Sequence, residues 1–175
     1  MVVLNSRRIT CIMGDNDALT YTLQFKKWAL LDIEYIQISK HHKCIRKLYA
    51  LTGDGIWNME REFVPCKPYH LLESKYRRSF RYCSKNIHHL PYYPETMSST
   101  CIGSMSIIRD FVTEHGVEVI LYKGGTVEQD ICREMEIDSQ NIEALCGLKK
   151  VYSHDPGTEV TLYWDQLNKY KNSLE

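Results

Sequence analysis

Two carboxylates, Asp32 and Glu34, interrupt the apolar run "WALLDIEYIQIS". In an extended strand residues i and i+2 share a face, so the two acids project side by side while Ile33 points the other way. Adjacent negative charges on an apolar strand are costly unless something compensates them. A basic partner and a bound cation are the two candidates. A second stretch with chemical potential is "KYRRSFRYCSK", which interleaves Arg77, Arg78 and Arg81 with aromatic residues. Arginines suit phosphate contacts and aromatic faces suit base stacking, although the same composition also suits a solvated basic helix or loop. Lys123, in "KGG", is a candidate to face the acidic pair. Neither "KGG" nor "GDG" matches a nucleotide-binding glycine loop.

The totals narrow the setting. A chain of 175 residues with 43% hydrophobic and 25% charged residues is expected to form one soluble domain with a proper core. Lys+Arg and Asp+Glu are both 22, so net charge gives no argument for a polyanionic partner, and any such site must be a local patch. No apolar run approaches a membrane span. The opening "MVVLNSRRITCIMG" carries its arginines after its short apolar piece, which makes a poor signal peptide. No membrane partner is expected. The seven cysteines are scattered, with no CxxC pair, as in reduced thiols of the cytoplasm or nucleus. Most are expected to be small core residues. Zinc is not expected: Cys146 and His154 flank a short loop, but two further ligands at a recognisable spacing are missing.

Three strands are expected first, in "WALLDIEYIQIS", "IRKLYAL" and "IWNMEREFVP". The "TGDG" between the last two predicts a hairpin. The segment before residue 27 is expected to be an extension or arm, in which "RITCIM" is strand or loose and "DNDALTYTLQF" is ambiguous. Residues 67–100 are irregular in pattern. "TCIGSMSIIRDFVTEH" predicts a helix with Ile102, Met105, Ile108 and Val112 on one face and Gly116 as its stop. "VEVILY" predicts a short buried strand. A helix then opens with Thr126 and Gln129 as a capping box and an apolar stripe of Val127, Ile131 and Met135. "NIEAL" is a candidate strand. "TEVTLYWDQLNKY" predicts a last helix with Val160, Trp164 and Leu167 on one face. The order β-β-β-α-β-α-β-α implies an α/β fold: a mixed sheet with three leading antiparallel strands and flanking helices.

That order is the plan of the RNase H-like fold. The stretches "DIEYIQIS", "EFVPCKPYHLLESKYRRS", "NIHHLPYY", "EVILYKGGTVEQ", "NIEALCGLKKVYSH" and "EVTLYWDQL" resemble the DEDDh-type (DnaQ-type) 3′–5′ exonuclease domains. The resemblance runs from about Trp28 to Leu167, within a domain taken as residues 27–175. It is nearest to the exonuclease-like domains of one PML isoform and of transposon-linked animal proteins. It extends more distantly to the maelstrom proteins, which keep the fold without the acidic set. The resemblance implies that Asp32 and Glu34 form the Asp-x-Glu on the first strand, that Glu128 supplies the third acid, and that Glu159 supplies the fourth. His154, five residues before Glu159, would be the general base. The four acids would hold two Mg²⁺ or Mn²⁺ ions, and the substrate would be RNA or DNA with a 3′ end. His88 falls on the histidine of the family's "IHGLP"-like segment and joins Arg77, Arg78, Arg81 and Lys123 as a nucleic-acid contact. The third and fourth acids are usually aspartate. Glutamate is one methylene longer and can ligate only if the backbone stands back. The alternative is therefore an exonuclease-like module that has lost cleavage and binds RNA or a protein partner.

Overall fold

The computed structural model describes residues 17–145, 147–151 and 155–174. The expected "RITCIM" strand or arm, Cys146 and His154 lie outside the described residues. The fold is α/β, with five strands in one mixed sheet ordered β3-β2-β1-β4-β5. β1 (Trp28–Ser39), β2 (His42–Thr52) and β3 (Asn58–Glu62) form an antiparallel meander. β4 (Val119–Tyr122) and β5 (Asp138–Asn141) are parallel to β1. The β2–β3 hairpin closes where "TGDG" predicts, with Gly55 at φ +75 in the turn.

β1 is central and buried on both sides. Ala29, Leu31 and Ile33 belong to the larger core cluster, together with Ile108, Phe111 and Val112 of α3 (Ser104–Glu114) and Cys132 of α4 (Thr126–Glu134). Trp28 and Leu30 belong to the smaller cluster. Its other members include Leu19 and Leu23 of a helix over residues 17–25 (α1) and Val160, Tyr163 and Leu167 of α5 (Pro156–Ser173). The ambiguous "DNDALTYTLQF" is therefore helical over its described part, and the Thr20 hydroxyl lies 2.9 Å from that of Tyr170 on α5. The irregular stretch after β3 contains α2 (Ser74–Cys83), which buries Tyr76 in the larger cluster, and a π turn over Ser84–His88.

Four local expectations are corrected. The Thr126–Gln129 capping box does not form. Gly125 is the N-cap and Thr126 is already helical, because the chain turns into α4 at Gly124 (φ +81). The fifth strand is Asp138–Asn141 rather than "NIEAL"; the Asn141 side chain accepts the Glu143 N–H and starts a 3₁₀ turn there. Ile102 sits in a 3₁₀ turn ahead of α3 and is exposed, so Phe111 replaces it on the buried face. On α5, Tyr163 rather than Trp164 fills the core. Trp164 is half-buried and its indole N–H donates to the carbonyls of Thr52 and Gly53, tying α5 to the hairpin. Among the described residues no helix is long and apolar enough to cross a membrane.

Candidate active site

Asp32 and Glu34 lie on β1 just beyond its pairing with β4, which stops at Leu30↔Leu121. Past that point the β1 edge has no strand partner, and a buried backbone N–H there needs an acceptor. Glu128 supplies it: its Oε1 accepts the Ile33 N–H at 3.0 Å. This bond draws the first turn of α4 onto the acidic strand and buries Glu128. Asp130, the neighbouring acid, is exposed and pairs with Arg133 at 3.5 Å, so it takes no part.

Glu159 arrives from the other side, in the first turn of α5. Asp155 caps that helix, its Oδ2 accepting from the Thr158 N–H at 3.0 Å and the Thr158 hydroxyl at 2.9 Å. Lys47, opposite Glu34 in the β1–β2 register, reaches Glu60 at 3.0 Å and Asp155 at 3.6 Å. The helix start rests on the Tyr49 ring: a Cβ at Gly157 would stand 3.3 Å from it. Asp32, Glu159, Lys123 and Tyr163 line one small cavity between β1 and α5, where the Lys123 ammonium lies 5.7 Å from the centre of the Tyr163 ring.

The electrostatics show how far the acids gather. Burial, followed by the charges of Glu159, Glu34 and Glu128, holds Asp32 well above the usual carboxylate range. Its Oδ2 is buried without a hydrogen-bond partner. Glu34 is pushed up to about 7 by burial and by Glu159 and Glu128, with Lys47 pulling it back. Burial also raises Glu128 to about 7, with Glu159 adding to it and the Ile33 amide opposing. Glu159 is raised by burial and lowered by Lys123. Four acids from three elements thus share one low-dielectric neighbourhood and repel one another. An orphaned carboxylate oxygen in such a group fits a hard divalent cation, whose ligands are carboxylate oxygens. The spacing of the carboxylates is loose. Among the described residues, the one trio of His, Cys or acidic side chains whose ligand atoms all lie within 4.8 Å of each other is His42, Cys44 and Cys66.

The remaining candidates are spread along α2 and the turn that follows. Arg77 is committed to the fold, donating to the carbonyls of Leu72 at 2.7 Å and His70 at 3.4 Å. Arg78 and Arg81 are exposed on α2. His88 is buried, and its Nδ1 accepts the Leu90 N–H at 3.0 Å. It lines a groove with Glu34, Tyr35, Gln37, Phe80, Cys83 and Ile87, so this groove opens beside the acids. Sequence reasoning missed Lys47 and Tyr49, whose alternation on β2 opposite the acids was the available signal. Neither the family models nor the curated proteins give a match to this chain.

Proposed function

We propose that this chain is an RNase H-like domain of the DEDDh exonuclease type, and that it hydrolyses the 3′-terminal phosphodiester of RNA or DNA. The observation that carries the reading is the convergence of Asp32, Glu34, Glu128 and Glu159 around a buried, unpartnered Asp32 oxygen. The strand order, with three antiparallel strands followed by two parallel ones, is compatible with that fold. The ligands lie beyond the C-terminal end of β4, where open α/β sheets place their sites.

In this reading the four acids hold two Mg²⁺ or Mn²⁺ ions, which when bound supply charge neutralisation for the attacking and leaving oxygens. Glu128 serves twice, with one oxygen on the Ile33 amide and the other as a metal ligand. Lys123, on the rim of the Asp32–Glu159 cavity, meets the phosphate. The groove from Glu34 to His88, lined by Tyr35 and Phe80, accepts the terminal nucleoside. Exposed Arg78 and Arg81 meet the backbone further along. His154, by its resemblance to the family base, takes the proton of the attacking water.

The test is 3′-end degradation of labelled RNA and DNA oligonucleotides with Mg²⁺ or Mn²⁺, comparing wild type with Asp32→Ala. Loss in the variant supports the reading. Equal activity in both, or none with either metal, overturns it. The rival reading of a module that binds without cleaving is favoured by one observation, the looser spacing of the acids compared with the His42 trio. Oligonucleotide binding that is unchanged by EDTA and by Asp32→Ala would select it.

A further inference from the structure

A second cluster of ligand-type side chains lies away from the acids. His42 and Cys44 stand two residues apart at the start of β2 and so share a face. Cys66 follows β3, and Cys101 opens the 3₁₀ turn ahead of α3. Two backbone hydrogen bonds bring these last two segments together: Cys101 N–H to the Val64 carbonyl at 3.0 Å and Val64 N–H to the Ser99 carbonyl at 2.9 Å. The Ser104 hydroxyl then donates to the Cys101 carbonyl at 2.6 Å and fixes the turn.

The result is crowded. Cys44 Sγ lies 3.0 Å from Cys101 Sγ and 3.3 Å from Cys66 Sγ, and Cys66 Sγ lies 4.0 Å from His42 Nε2. A disulfide would employ two of the three sulfurs and would leave the imidazole unexplained. Three sulfurs and one imidazole nitrogen from three chain segments make a Cys₃His set, which structural zinc sites use in a closed tetrahedron. With Zn–S bonds of about 2.3 Å, two thiolates on one ion stand about 3.8 Å apart. The Cys44–Cys66 and Cys44–Cys101 pairs therefore need to open by less than about 1 Å to admit it. Cys101 stands outside the trio of His42, Cys44 and Cys66, whose ligand atoms lie within 4.8 Å of each other, and swings in from its contact with Cys44 to complete the set. Cys44 and Cys101 are buried while His42 is exposed, so the cluster is closed on the core side and reachable from solvent.

We infer that His42, Cys44, Cys66 and Cys101 bind one structural zinc ion, which pins the β3–α3 connection to the sheet. The ion adds to the anchors that this connection already has in buried Leu72, Tyr76 and Tyr92. Between residues 67 and 100 the connection holds only short helices and turns, and it carries α2 and the groove wall next to Glu34. A metal clip across a long loop removes much of the closure entropy of the unfolded chain. Binding releases the thiol protons to solvent, leaving three thiolates and a neutral imidazole on the metal. The sequence hides the site because its ligands are 2, 22 and 35 residues apart rather than in CxxC pairs.

The experiment is metal analysis of the full chain purified in reductant without added metal, followed by Co²⁺ exchange. One zinc per chain is expected, with the thiolate-to-cobalt charge-transfer and visible bands of a tetrahedral sulfur-rich site. Asp32→Ala should keep that zinc, which separates the cluster from the acidic site. His42→Ala alters an exposed side chain and so leaves the core intact. It should weaken zinc binding on the order of 100-fold. Failure of the wild type to take up either metal overturns the inference, as does a Cys44–Cys101 disulfide in intact protein mass analysis. So does unchanged zinc content in the combined His42→Ala, Cys66→Ala protein. The wild-type cobalt spectrum decides the matter even where a variant does not fold.

Discussion

Replacing Glu34 by glutamine should make the metal-free protein more stable, and only at neutral and alkaline pH. Glu34 is raised from an ordinary 4.5 to about 7, chiefly by burial and then by Glu159 and Glu128. A carboxyl raised in the folded state binds its proton more tightly there than in the unfolded chain. Stability attributable to it is therefore full below about 4.5 and declines as pH rises to about 7. Moving one group across that interval is worth about 3 kcal/mol at about 1.4 kcal/mol per unit. Because Glu34 is only partly buried, about 2 kcal/mol is the expected gain for Glu34→Gln at pH 8 in EDTA. For a chain of this size that is a rise in Tm of roughly 4–8 °C. At pH 4 the two proteins should melt together. Added Mn²⁺ should raise the Tm of wild type at pH 8 and do much less for the variant, since the cation offsets the repulsion that glutamine has already removed. Thermal melts from pH 4 to 8, with EDTA or Mn²⁺, provide the reading. A variant no more stable at pH 8, a gain independent of pH, or equal Mn²⁺ shifts in both proteins would refute the electrostatic account of the site.

Other outcomes follow from single contacts. Glu128→Asp should destabilise the protein by about 1–2 kcal/mol, because the shorter side chain leaves the buried Ile33 amide without its acceptor. Glu128→Gln keeps that acceptor and should remove the proposed nuclease activity with little loss of stability; chemical denaturation beside an oligonucleotide assay separates the two effects. Gly157→Val should press α5 away from the Tyr49 ring. It would then lower the proposed metal-dependent activity more than Gly157→Ala does, at a stability cost of about 1–2 kcal/mol. Arg46 is 1% exposed and holds both Glu62 at 3.1 Å and the Pro91 carbonyl at 3.0 Å. Arg46→Ala should cost about 3 kcal/mol in urea unfolding, since it empties the buried space of a large side chain and takes the donor from the Pro91 carbonyl, while Glu62, 31% exposed, is left to water.

Legibility followed the strength of the local pattern. "WALLDIEYIQIS" is β1 in full, because a strand buried on both faces needs an almost unbroken apolar run. The hairpin was legible from its glycines, α3 and α5 from apolar spacing. β5 was not: as an edge strand, "DSQN" has little to bury and shows no apolar signal. α1 was ambiguous because its buried face holds Leu19, Leu23 and the polar Thr22, while the aromatic Tyr21 and Phe25 are exposed, which blurs the helical stripe. The Thr126 cap failed because a left-handed Gly124, not the cap residue, sets where α4 begins.

By itself the sequence determined the succession of β1 to β4 with α3, α4 and α5, and the side-by-side placement of Asp32 and Glu34, since these follow from strand and helix periods. Tertiary structure decided what joins them. Glu128 rather than Asp130 enters the site because one unpaired amide on β1 needs an acceptor. Glu159 enters because Asp155 and Gly157 seat α5 on β2. The thiols at 44, 66 and 101 meet because a bridge between two loops overrides their distance in the chain. Local periods fix which way a side chain points, whereas the partners it meets are set by long-range hydrogen bonds and packing.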